Sequence, residues 1–351
     1  MVRGDGIRGW SISNDPLWTR RSVIQAALLV AVGCAGCETG NSSGSASADR
    51  PTRFRVICTT GMVADLAAHV AGDRAEVIAL YGAVDPHTYE PTQTDIEKIL
   101  AADVVLYSGL MLEGPTQVAL ESARGRGKLV RAVTDGVARE SGYLRFPDGA
   151  TTHPDPHVWH DVAAWGRCAD VVANALAEHD PAHADEYKSR AAAYQQELAA
   201  IDAYARERIA TIPAAQRHLV TAHDAFEYFS RAYAIPVRSV LGITTTSEAG
   251  VDDINRLVDF LVENKVPAVF VEATVNRANL QAVVEGAKRR GWNVRIGGSL
   301  YSDSMGPPGT YTGSYIGMID YNVTLITRSL GGEAPERGFN NRLNLPAPTQ
   351  D

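Results

Sequence analysis

Two loops of this chain carry the same three residues. Asp85-Pro86-His87 lies within Gly82-Ala83-Val84-Asp85-Pro86-His87-Thr88-Tyr89-Glu90-Pro91-Thr92, and Asp155-Pro156-His157 repeats it seventy residues later. Proline fixes its own φ and biases the preceding residue toward extended backbone, so each imidazole is presented from a stiffened loop rather than from a helix. That suits a metal ligand, whose position has to be held before the metal arrives. A lone loop histidine is more often a surface residue than a ligand, so the weight rests on several such residues meeting. Within the folded part cysteine does not compete for the role: Cys58 and Cys168 stand in no Cys-x-x-Cys spacing and read as small buried hydrophobes. Any metal chemistry has to come from histidine and carboxylate.

The elements that position these loops alternate. Strands are expected over 54–58, 75–80, 104–107 and 129–133, with helices over 62–71, 92–101 and from 115, then a loop over 142–156 and a helix from His157 to about 178. Between 182 and 211 there is no Gly or Pro, and Tyr187, Ala191, Tyr194, Leu198, Ile201 and Ala205 alternate spacings of four and three. That is one apolar stripe on a helix of roughly 45 Å, ended by Ile212-Pro213. A second alternating block follows: strands over 218–221, 237–241, 268–272 and 293–296, helices over 226–233, 251–263, 277–290 and 315–330. The fold class is therefore α/β, two similar lobes with parallel sheets joined by a single long rigid helix. Its divisions are an N-terminal lobe over 53–181, the linking helix over 182–212, a C-terminal lobe over 213–332 and a tail over 333–351. Ligands of such sheets bind outside the carboxyl ends of the strands, where His87, His223 and Asp303 each follow a strand. With His157, all four can face one cleft.

The first fifty residues read as an export and anchoring segment outside the fold. Arg20-Arg21 precede a short apolar run, and Ala31-Val32-Gly33 then lead into Cys34. The run is too short to span a bilayer and fits a signal-peptide core over 1–37, with Cys34 the better lipid acceptor and Cys37 the alternative. The arginine pair resembles a twin-arginine signal, with the general secretory route also open. Residues 38–52, rich in Gly, Ser and Ala, read as a flexible tether. With 45% apolar and 21% charged residues the remainder is an ordinary globular chain, and a net charge of -8 with scattered Lys and Arg argues against nucleic acid.

The four motifs Asp85-Pro86-His87-Thr88-Tyr89-Glu90-Pro91-Thr92, Asp155-Pro156-His157-Val158-Trp159, Thr221-Ala222-His223-Asp224-Ala225-Phe226 and Leu300-Tyr301-Ser302-Asp303-Ser304-Met305-Gly306 resemble those of the TroA-like family. These are the cluster A-I solute-binding components of zinc and manganese ABC importers, and the resemblance covers residues 54–330. It implies that His87, His157, His223 and Asp303 are the metal ligands. Three imidazoles and one carboxylate suit tetrahedral zinc, and a bidentate Asp303 would suit manganese. Manganese-specialised relatives tend to carry Glu at the position of His223, and zinc-specific relatives often carry a His-rich loop that this chain lacks. Both metals stay open. Glu90, Asp224 and Glu272 are candidates to accept the second ring N–H of a ligating histidine. His160, one turn after His157, reads as a supporting or exposed residue, and His153 as exposed.

The implied function is a non-enzymatic receptor, anchored through lipid on the extracytoplasmic side, that passes a divalent metal to an ABC permease and its ATPase. A monomer is the default for this role. The chain has no Gly-x-x-x-x-Gly-Lys-[Ser/Thr] loop, so it is not the ATPase, and no His-Glu-x-x-His that would favour the alternative of a metal-dependent hydrolase. A surface adhesin with a structural metal is the other alternative. Release is expected by a modest tilt or a loop rearrangement, because a rigid linking helix opposes wide hinge motion.

Overall fold

Strand and helix alternate through both halves of the chain, as the hydrophobic periodicity requires. The computed structural model describes residues 10–11, 53–146, 153–243, 245 and 250–345. The first sheet runs in the order β1 (Trp10–Ser11), β3 (Ala75–Ala79), β2 (Phe54–Cys58), β4 (Val104–Tyr107), β5 (Leu129–Ala132), parallel except for β1. Its crossovers are α1 (Gly61–Ala71), α2 (Gln93–Ala101) and α3 (Gln117–Gly125), followed by the short α4 (Asp135–Ala138). Thr60 caps α1, and Thr92 with Asp95 closes a full capping box on α2. The expectation that everything before residue 53 stays outside the fold fails at one place. Trp10 and Ser11 pair with Ala79 and Ile78, taking the otherwise open edge of β3. The signal-peptide core, Cys34 and the tether lie outside the described residues.

In the second half, β6 (Leu219–Thr221) pairs with β7 (Val237–Ser239), and β8 (Ala268–Glu272) with β9 (Arg295–Leu300), both parallel. The helices are α7 (Glu227–Tyr233), α8 (Val251–Glu263), α9 (Ala278–Arg289) and α10 (Tyr315–Ser329). β6 lies beside β8, yet the described strands form two separate pairs rather than one four-stranded ladder. At the upper end of β6 the missing backbone partner is replaced by a side chain: Glu272 Oε1 accepts the N–H groups of Ala222 and His223 at 2.8 and 2.9 Å.

The strands of each half are covered on both faces, so successive residues along a strand enter different cores. Val56 and Cys58 face one, Ile57 the other; on β8, Ala268 and Phe270 alternate with Val269 and Val271. The layers are α2 and α3, the first sheet, a central layer of helices, the two strand pairs of the second half, and α8 with α9.

The central layer is built on α5 (Val162–His179) and α6 (Ala184–Ala210). At 27 residues α6 is about 40 Å long. Tyr187, Ala191, Tyr194, Leu198, Ile201, Ala205 and Ile209 are buried along one stripe, while Asp185 and Glu186 at its start and Arg208 at its end suit the helix dipole. It is shorter than the expected 182–212 because Pro181 opens a 3-10 turn, Pro181–His183, and Pro213 prevents continuation. The helix packs on α1 and α5 from the first half and on α7 and α10 from the second. One apolar core therefore runs without a break from Val56 to Leu330. At its middle the buried Asp65 of α1 accepts the Tyr194 hydroxyl at 2.7 Å and the Tyr315 N–H at 3.3 Å, tying the two halves through α6.

Candidate metal centre

The two Asp-Pro-His loops fold alike. Asp85 Oδ1 accepts the His87 backbone N–H at 2.9 Å, and Asp155 Oδ1 that of His157 at 2.8 Å. A short carboxylate reaching the amide two residues on is an Asx turn, and the intervening proline brings no N–H of its own. The sequence repeat is thus a repeat of loop geometry. In the second loop the same Oδ1 lies 2.7 Å from His157 Nδ1, so Nδ1 donates and Nε2 is left facing the site. In the first loop Asp85 instead accepts from Thr245 through Oδ2.

His223 follows β6. Its ring Nδ1 meets Glu272 Oε2 while Oε1 of the same carboxylate holds its backbone N–H. Asp303 follows β9, and its Oδ2 accepts from Ser302 Oγ at 3.0 Å and Thr274 Oγ1 at 3.3 Å. The four side chains meet between the ends of the two sheets. His87 Nε2 is 3.1 Å from His157 Nε2; Asp303 Oδ1 is 3.2 Å from His157 Nε2 and 3.7 Å from His87 Nε2; Asp303 Oδ2 is 3.3 Å from His223 Nε2. All four ligand-type atoms lie within 4.8 Å of one another. His157, His223 and Asp303 are buried, and His223 Nε2 and Asp303 Oδ1 make no hydrogen bond among the described residues.

Charge in this pocket is shared through protons. Burial pulls the His157 imidazole down, but Asp155 and Asp303 outweigh it and draw the ring up to about 9. Burial also opposes His223 ionisation, and Glu272 and Asp303 raise it well above its ordinary value. For Asp303 burial acts upward, while the His223 charge and the close approach of the His157, His223 and His87 rings hold it well below the carboxylate range. Three carboxylates thus surround imidazoles whose free edges converge, an arrangement that can exchange bound protons for a dication. Asp224, half-buried nearby, is pushed up to about 6 by burial and by Asp155 and Glu227.

The structure brings together His87, His157, His223 and Asp303, and sets Glu272 on the His223 ring. Asp224 makes no side-chain hydrogen bond to a ring among the described residues. Glu90 does not serve as a ring acceptor either: it is exposed, because Tyr89 packs on Tyr81 at 4.3 Å and bonds Asp95 at 2.6 Å, and the chain leaves the site there. The acceptor that sequence reasoning missed is Asp155, whose place two residues before a proline-flanked histidine was the available signal. His160 is buried rather than exposed, and burial with the neighbouring His157 pulls it down to about 3. His153 is exposed.

Comparison with known proteins points to one family. The family model described as zinc-uptake complex component A, periplasmic (ZnuA), matches residues 56–329. The manganese-binding lipoprotein MntA of Bacillus subtilis is 40% identical over 312 residues, covering 89% of this chain and 99% of the relative. The zinc-binding protein TroA of Treponema pallidum is 37% identical over 311 residues, covering 88% and 99%. The solved structure of the periplasmic zinc-binding protein TroA from Treponema pallidum matches with a TM-score of 0.74 and 38% identity, covering 79% of this chain and 99% of that one. Spanning both sheets, α6 and all four converging side chains, these matches mean that the chain belongs to the ZnuA family, as a TroA-like substrate-binding protein of metal ABC transporters.

Proposed function

We propose that this chain captures one divalent transition-metal ion, zinc or manganese, between His87, His157, His223 and Asp303 and delivers it to the permease of an ABC importer. The observation that carries the reading is the convergence of three imidazole nitrogens and one carboxylate within 4.8 Å, two of these buried atoms making no hydrogen bond among the described residues. Asp155 and Glu272 fix Nδ1 as the protonated nitrogen in His157 and His223, which leaves Nε2 as a lone pair for the cation. Two protons held by the empty site leave as the dication enters. The donor set fits zinc in tetrahedral form and manganese if both Asp303 oxygens bind. The relatives named for each metal support leaving the pair open.

Release rests on loop movement at the strand ends, because the halves share one core and resist wide hinge opening. With four protein ligands the site acts as a receptor rather than as an enzyme. Anchoring through lipid on Cys34, extracytoplasmic placement and a monomeric state complete the proposal.

The test is elemental analysis of the soluble fragment from Thr52 onward, stripped of metal and dialysed against zinc and manganese together, beside His157→Ala and His223→Glu. One equivalent of metal in the parent and less than a tenth of it in His157→Ala is the expected result. A shift toward manganese in His223→Glu would assign selectivity to that position. Binding of neither metal by the parent would sink the receptor reading.

A further inference from the structure

The carbonyl oxygen of Ser302, one residue before Asp303, accepts two hydrogen bonds from the opposite half of the molecule. Trp159 Nε1 donates at 2.8 Å and His160 Nε2 lies at 3.1 Å. Both donors belong to the 3-10 turn Val158–His160 that follows directly on His157. The Tyr315 hydroxyl in turn donates to the Trp159 carbonyl at 2.7 Å. The loop carrying His157 and the loop carrying Asp303 are thereby fastened together, although 142 residues separate His160 from Ser302.

A carbonyl can only accept, so His160 Nε2 carries the hydrogen and Nδ1 is a bare lone pair. That Nδ1 is buried and has no hydrogen-bond partner among the described residues, while the ring stacks on Phe226 at 4.3 Å. An unpartnered buried acceptor is destabilising, and a phenylalanine ring would keep the stacking without it. Folding alone therefore favours an apolar ring at this position. What histidine adds is the second donor on Ser302.

We propose that His160 is a positioning residue that sets metal preference by holding Asp303 with both carboxylate oxygens turned toward the imidazoles. This rests on the metal-receptor reading above. Held in this way, Oδ1 faces His157 and His87 while Oδ2 faces His223, a two-oxygen presentation. It favours an oxygen-preferring cation such as manganese, whereas a carboxylate free to rotate to one oxygen favours tetrahedral zinc.

The experiment compares the parent, His160→Phe and His160→Gln, all metal-stripped, by competitive titration with zinc and with manganese, by the visible spectrum of the cobalt(II) form, and by thermal unfolding without metal. Phenylalanine keeps the ring and removes the donor; glutamine places an amide N–H near the former Nε2. The expected result is a fall in manganese affinity relative to zinc of about tenfold in His160→Phe, the worth of one net hydrogen bond. A more intense, tetrahedral-type cobalt spectrum, an unfolding temperature no lower than that of the parent, and return of the metal ratio in His160→Gln accompany it. An unchanged ratio in His160→Phe overturns the proposal and leaves the metal site standing. A shift equal in both variants, or one accompanied by lost stability, also overturns it, in favour of simple packing. Failure of the parent to bind either metal removes the reading on which it rests.

Discussion

Glu272, the last residue of β8, grips His223 twice: one carboxylate oxygen accepts its backbone N–H at 2.9 Å and the other meets its ring at Nδ1. The strand end and the imidazole are set by one side chain. In Glu272→Gln the amide oxygen can go on accepting from Ala222 and His223, but the NH2 group then faces Nδ1. His223 is forced to carry its hydrogen on Nε2, where the cation has to bind. Metal affinity is expected to fall about 10- to 100-fold with little change in fold, as read by competition against a chelator. An unchanged affinity would mean that something other than Glu272 sets the tautomer.

Asp155 offers a cleaner separation of charge from geometry, because a single oxygen, Oδ1, serves both the His157 backbone and its ring. Asn at this position can accept both bonds and keeps the turn; Ala loses them. Asp155→Asn is expected to lower the His157 pKa and weaken metal binding by about tenfold, and Asp155→Ala to weaken it further while loosening the loop. The histidine titration followed by NMR, together with titration calorimetry, distinguishes the two.

The proton-holding character of the empty site fixes a pH dependence of both binding and stability. His157 titrates at about 9 in the metal-free fold against an ordinary value of 6.5, and His223 is raised in the same direction. Below about pH 9 an entering cation has to displace these protons, so apparent affinity falls as pH falls, by about tenfold per unit for each proton displaced. Stability of the metal-free protein runs the other way. A group bound to its proton more tightly when folded stabilises fully below pH 6.5 and loses that contribution as pH rises through 9. Asp303, held well below the usual range, contributes at neutral pH and fails only in acid. Unfolding temperatures of stripped and loaded protein across pH 6 to about 9.5 should therefore diverge with rising pH, the stripped form dropping. Parallel curves would contradict the shared-proton site.

The tie at the centre of the molecule can be cut without touching the metal centre. Tyr194→Phe removes one of the donors on the buried Asp65 carboxylate, at a cost of about 1–3 kcal/mol. Urea unfolding should show that loss with metal affinity unchanged. A large drop in affinity instead would mean that strain at α1 reaches the site.

Much of this was legible in the residues. The stripe from Tyr187 to Ala205 foretold a central helix because spacing alone fixes which face is buried, and 268–272 was read as a strand to its last residue because β-branched and aromatic side chains carry that signal. Strand β9 was read too short: it begins at Arg295 and continues through Gly297 and Gly298 to Leu300, and glycine is a poor strand marker. The four converging side chains are those implied by the resemblance of the four motifs to the TroA-like family. The acceptors around them were only half found, Glu272 but not Asp155, since a ring partner is a matter of orientation that spacing does not record. Glu90 illustrates the same limit from the other side, where a carboxylate near a histidine in sequence is turned outward by the packing of Tyr89 on Tyr81. The replacement of a strand–strand ladder by the Glu272 side chain at β6 was not readable at all, because it depends on contacts across the whole second half.

The unbroken apolar core has a consequence for traffic at the membrane. Two halves that share one interior are expected to keep almost the same silhouette whether or not a cation sits between them. A permease that has to take loaded receptors and ignore empty ones is given little difference in outline to read. What differs is local: two protons traded for a dication leave the summed charge at the mouth unchanged, so the difference falls on the set of the loop that carries His87. Discrimination between full and empty carriers is thereby moved from overall outline to the conformation of the loops at the mouth.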